Sequence, residues 1–132
     1  MFEDNQCDSW KQILCCDAEP DSRQKLTEKL ISFGCSVLAT GNPQIASGLI
    51  QEQNIAALVV SMDKMKLSMV SIIVDARRSR PHLPIIIILT EVGHDTIPVG
   101  LADLVLVSPS DRKIKQAVVS FVKMDKEQMV AC

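Results

Sequence analysis

The chain has no tyrosine, one tryptophan and three phenylalanines, so aromatics make up only 3% of its 132 residues. Its core must therefore rest on Ile, Val, Leu, Met and Ala. A strong excess of one charge is also missing. A net charge of −2 gives no bulk electrostatic pull toward DNA, RNA or anionic lipid. No apolar run approaches the roughly 20 residues of a membrane span. The acidic opening "MFEDNQCD" is no signal peptide, so the expected location is the cytoplasm. The five cysteines form no C-x-x-C pair and no Cys/His ligand grouping. Cys15 and Cys16 are adjacent in a strand and point to opposite faces, which reads as two small apolar core residues. There is no glycine-rich phosphate loop, internal repeat, low-complexity tract or linker. No cofactor and no metal is expected.

What is present is the balance of a globular protein: 47% apolar and 23% charged residues, at a length that suits one domain. The whole chain, 1–132, reads as that domain, with a core over about 12–123. Two kinds of segment alternate. "QILCC" (12–16), "CSVLAT" (35–40), "IAALVVSM" (55–62), "PIIIILT" (84–90) and "LADLVLVSP" (101–109) are strand candidates. Between them lie helical patterns. Pro20 suits the first turn of a helix that turns Leu26, Leu30 and Phe33 inward and stops at Gly34. Asn42 and Pro43 cap and open a helix carrying Ile45, Leu49 and Ile50 inward. Residues 67–80 place Val70, Ile73, Val74 and Arg77 at helical spacing. The last helix faces the sheet with Ile114, Ala117, Val118, Phe121 and Val122.

The run "PIIIILT" has no polar alternation, as in a parallel strand covered on both faces. Strand–helix alternation of this kind predicts an α/β fold with a doubly wound parallel sheet. Between Thr90 and Ala102, "EVGHDTIPVGL" has two glycines, a proline and no helical apolar period. A loop or a short turn is expected there in place of a full crossover helix.

Five βα units, with "ILCCDAEP" closing the first strand and "VSP" closing the fifth, resemble the receiver domain of two-component response regulators. The resemblance covers about Gln12 to Lys123 and implies a five-stranded, flavodoxin-like sheet of order 2-1-3-4-5. In that family the first strand ends in two acidic residues and then Glu-Pro. Here Asp17, Glu19 and Pro20 match, and Ala18 stands at the second acidic position. With Met65 matched to the family's methionine, the phosphate-accepting position falls on Met62, and Lys66 replaces the proline that follows. Thr90 matches the hydroxyl residue that senses the phosphoryl group. Ser108 replaces the lysine, Pro109 matches the cis-proline, and Val105 replaces the switching aromatic.

The resemblance thus implies the scaffold without the chemistry. A thioether at Met62 cannot attack phosphorus, and Ala18 removes a carboxylate ligand for Mg²⁺. Ser108 offers a hydrogen bond but no positive charge. Such losses together should abolish phosphotransfer. Asp17 is then a capping acid that stabilises the helix macrodipole by roughly 0.3–1 kcal/mol. Asp63 is a solvated loop carboxylate or a helix cap, unless a bulge re-aims it into the pocket. Thr90 reads equally as a strand-end hydroxyl bonded to backbone. His82 and His94 sit in polar loops facing solvent, and Arg77 snorkels.

The expected function is a degenerate receiver that signals through protein–protein contact, without aspartyl phosphorylation and without enzymatic activity. Its partner would be another signalling protein or a second copy, with no direct nucleic-acid or membrane contact. Arg112, Lys113, Lys115, Lys123 and Lys126 form a basic stripe on the last helix that suits an acidic partner. Three alternatives stand beside this. One is a receiver still phosphorylated, on Asp63 with Mg²⁺. Another is the N-terminal regulatory domain of a transcription regulator. The third is a ligand pocket floored by Met62 and Ala18.

Overall fold

Strands that are apolar on both faces need cover on both sides, and the computed structural model of the chain supplies it. It describes residues 12–63, 67–90 and 100–128, with 122–128 as helix backbone alone. Five strands form one parallel sheet in the order 2-1-3-4-5. They are β1 (Gln12–Asp17), β2 (Ser36–Thr40), β3 (Ala57–Met62), β4 (Ile85–Leu89) and β5 (Leu104–Val107). Four helices occur among the described residues: α1 (Pro20–Ser32), α2 (Pro43–Glu52), α3 (Leu67–Ser79) and α4 (Asp111–Gln128). This is the doubly wound sheet that the alternation predicts. Of the loop expected over 91–101, residues 91–99 lie outside the described residues, His94 among them, as do Met65 and Lys66.

Each strand feeds one face with its odd residues and the other with its even ones. On one side Leu14, Cys16, Leu58, Val60, Met62, Ile85, Ile87 and Leu89 pack under α2 and α3. On the other, Ile13, Cys15, Ala57, Val59, Ile86 and Ile88 pack under α1 and α4. The adjacent cysteines are thereby split between two cores, and both are fully buried. All five residues of β4 are buried, as its unbroken apolar run requires. Each such side chain contributes about 1.5–3 kcal/mol through burial.

Local chemistry sets the helix starts. The Asn42 side chain accepts hydrogen bonds from the Gln44 and Ile45 N–H groups, at 2.8 and 3.1 Å, and Pro43 follows as the first helical residue. After α1, Gly34 takes φ +93°, a left-handed conformation that a side chain disfavours.

Two helical stripes are rotated from the expected ones. Ile45 is not inward but 54% exposed; Ala46 and Ile50 are buried instead, with Leu49 packed beside them. In α3 the buried set is Met69, Ile72, Ile73 and Ala76, whereas Val70 and Val74 are half-buried. Both shifts go with α2 and α3 sharing one face of the sheet and turning Ala46 and Ala76 toward it. In α4, Ile114, Ala117 and Val118 are buried and Phe121 packs against them; the Val122 side chain lies outside the described residues.

Arg77 does not snorkel. Its Nε donates to the Leu101 carbonyl at 3.1 Å, and one terminal nitrogen donates to the Pro81 and Leu83 carbonyls. The other terminal nitrogen lies 2.8 Å from Asp103 Oδ2, which also accepts the Ile85 N–H at 2.7 Å. A charge fixed by four acceptors is a brace between the starts of β4 and β5. Sequence spacing hides it, because Asp103 is far along the chain.

Candidate functional site

In parallel α/β sheets, functional groups gather at the carboxyl ends of the strands. At the end of β1, Asp17 is 2% exposed, and its own turn uses both carboxylate oxygens. Oδ1 accepts the Glu19 N–H at 2.9 Å and Oδ2 accepts the Ser22 hydroxyl at 2.5 Å. Glu19 is the N-cap of α1 but its side chain makes no capping hydrogen bond, and Asp17 organises this start from two residues upstream. The expected capping role thus takes the form of a turn that leads into the helix.

Arg23, one turn into α1, donates to the Asp17 backbone carbonyl at 2.9 Å. Gly41 leaves room for this contact: a Cβ there would sit 2.3 Å from the guanidinium and 2.8 Å from the same carbonyl. Neither residue stands out in the sequence, since the arginine and the glycine meet only through the β1–β2 pairing.

At the end of β3, Met62 is 3% exposed and lies within the core under α2 and α3. Ala18 is exposed and brings no ligand atom. The β3–β4 register runs unbroken to the pair Met62–Leu89, so no bulge re-aims the next residue. Asp63 nevertheless reaches the corner by lying opposite Thr90. The Thr90 hydroxyl donates to Asp63 Oδ1 at 2.9 Å. Thr90 is therefore exposed and bonded to a carboxylate, not a buried hydroxyl satisfied by backbone.

Ser108 completes the corner from β5. Its N–H donates to the Leu89 carbonyl at 2.7 Å and its hydroxyl to the Thr90 carbonyl at 2.5 Å. It holds φ +43°, a left-handed conformation rare for a residue with a side chain. This sharp exit ends β5 at Val107, earlier than the expected 109. The Ser108–Pro109 bond is trans, since the described residues contain no cis peptide; the expected cis bond is absent. Val105 is 38% exposed on β5.

The corner therefore holds Asp63, Thr90 and Ser108 in one hydrogen-bonded chain, with Asp17 facing its own helix. Among the described residues, that donor set is thin for the divalent cation of receivers: Ala18 and Met62 offer no hard oxygen, and both Asp17 carboxylate oxygens accept hydrogen bonds within their own turn. Among the described residues, no group of three or more His, Cys, Asp or Glu side chains could hold a metal ion. A cavity of about 640 Å³ lies at the opposite end of the sheet, lined by Gln12, Ile50, Gln53, Asn54 and Arg80 among others.

Burial pushes the Cys15 thiol up to about 12, and the Cys16 thiol higher still, so both stay protonated and unreactive. On α4, Arg112, Lys113 and Lys115 are exposed, as the basic stripe requires. Lys115 lies 5.9 Å over the Phe33 ring, and Asp111 pairs with Lys29 at 2.9 Å. The side chains of Lys123 and Lys126 lie outside the described residues. His82 is exposed, as expected.

No protein-family model matches the sequence, and no curated protein is similar to it in sequence. Solved structures do match. A response regulator receiver domain protein from Clostridium thermocellum is 21% identical with a TM-score of 0.75, over 89% of this chain and 98% of that one. The receiver domain of the Francisella response regulator 1452 is 20% identical with a TM-score of 0.73, over 86% of this chain and 98% of that one. A CheY-like receiver domain protein from Methanospirillum hungatei is 12% identical with a TM-score of 0.73, over 89% and 98%. Among the described residues, no helix is long and apolar enough to cross a membrane. The chain therefore has the fold of response regulator receiver domains.

Proposed function

We propose that this chain is a receiver-fold signalling module that works through protein contact, without aspartyl phosphorylation and without a catalytic step of its own. One observation carries this reading. The hydroxyl of Thr90, which in the resembling family would meet a phosphoryl oxygen, is taken by a carboxylate of the same chain. Two features add support: the buried thioether at Met62 offers no nucleophile, and both Asp17 carboxylate oxygens accept hydrogen bonds within their own turn. The exposed Arg112, Lys113 and Lys115 suit a partner surface rich in Asp and Glu. A titration with Mg²⁺ and beryllofluoride tests the reading by amide chemical shifts. Thr90 and Ser108 should not move, and a saturable shift at both would sink it.

The exposed position of Asp63 at this corner favours a second reading, in which Asp63 accepts a phosphoryl group. An Asp63 carboxylate oxygen would attack the phosphorus of acetyl phosphate, forming an acyl phosphate and releasing acetate. Intact-mass measurement after exposure to acetyl phosphate and Mg²⁺ separates the two. An adduct that vanishes in Asp63→Asn supports the second.

A further inference from the structure

Charged residues make up 23% of the chain, yet none occurs from Leu30 to Gln51. That stretch takes in the end of α1, all of β2 and all but the last residue of α2. It is also one side of the sheet, because among the described residues β2 is an edge strand bonded only to β1. Edge strands are usually blunted by lysine, proline, a bulge or an inward-pointing charge, which stop other strands from adding. Ser36–Thr40 has none of these, and its β1 register runs without interruption. Two large apolar side chains flank it. Ile31, in the last turn of α1, is 55% exposed, and Ile45, in the first turn of α2, is 54% exposed.

We propose that two copies of this chain pair along β2 across a two-fold axis, joining their sheets into one. The strand is matched to itself. Antiparallel pairing centred on Leu38 sets Ser36 opposite the partner copy's Thr40, both small and uncharged. It also sets Val37 opposite Ala39, large against small, and places no like charges together. The outward N–H and C=O groups of β2 would form the new ladder, and a closed two-fold contact leaves no site for a third copy. A net charge of −2 opposes this association little. The inference does not rest on the reading of the strand-end corner.

Sedimentation equilibrium of the full chain over a wide concentration range tests it. The expected species at high concentration has twice the mass of one chain. Lysines at two exposed positions, Ala39→Lys with Ile45→Lys, should return the mass to one chain with unchanged far-UV circular dichroism. A single-chain mass throughout would overturn the proposal. So would a double mass that survives the lysines, because another surface would then be responsible. Hydrogen exchange of the unmodified chain needs no variant. Amides of Ser36–Thr40 should gain protection as the protein is concentrated. Protection that stays constant, or that arises only when a different protein is added, would refute the two-copy contact.

Discussion

Thr90, just past β4, donates its hydroxyl to the Asp63 carboxylate, just past β3, at 2.9 Å. The Thr90 carbonyl in turn accepts from Ser108, so the ends of three adjacent strands are tied in one chain of hydrogen bonds. Both partners of the first bond are exposed, so it contributes no more than about 0.5–1.5 kcal/mol. Thr90→Val and Asp63→Ala should each lower the unfolding free energy by that amount. The double variant should lose less than the sum, as urea titration of the four proteins would measure. Strictly additive losses would mean that the bond does not form in solution.

Gly41 and Arg23 make a second coupled pair. Gly41→Ala should cost about 1–3 kcal/mol, because the added methyl meets both the guanidinium and the Asp17 carbonyl. Adding Arg23→Ala should restore only part of the loss, since the carbonyl cannot swing aside as a side chain can. Thermal melts of the single and double variants read this directly. Full rescue would place the whole clash on the arginine.

Arg77 offers the largest stability effect. Arg77→Ala leaves three carbonyls and the Asp103 carboxylate without their cation, and a loss of about 2–4 kcal/mol is expected. Arg77→Lys should recover little, because an ammonium cannot address four acceptors in the plane of a guanidinium. Chemical denaturation checks both, and a fully stable lysine variant would remove the brace from the account.

Alkaline pH should destabilise the fold through the two core thiols. Their folded values lie above the ordinary 9.0, Cys15 at about 12 and Cys16 higher, chiefly from desolvation. Below about pH 9 both states hold these protons and stability is unaffected. Above it the unfolded chain releases protons that the folded chain keeps. Stability then falls by up to about 1.4 kcal/mol per pH unit for each thiol, and the loss continues toward the raised folded values. Urea midpoints at about pH 8 and about pH 10 measure the slope. Cys15→Ala and Cys16→Ala should each flatten it.

The periodicity of the sequence determined the architecture. Unbroken apolar strands such as Ile85–Leu89 can be satisfied only by cover on both faces, and Pro20, Gly34, Asn42 and Pro43 fix where helices begin and end through local backbone chemistry. The atoms available at two corner positions were equally legible, because Met62 carries a thioether and Ala18 a methyl in any conformation. Tertiary structure alone decided which residues meet. Asp63 reaches Thr90 through the β3–β4 register, Arg23 fits over Gly41 through the β1–β2 pairing, and Arg77 finds Asp103 across the sheet's lower rim. It also decided which way α2 and α3 turn, and that Pro109 follows a trans bond. Such contacts join residues far apart in the chain, and their geometry depends on strand register and helix rotation. Both are set by packing the whole domain at once rather than by any local run of residues.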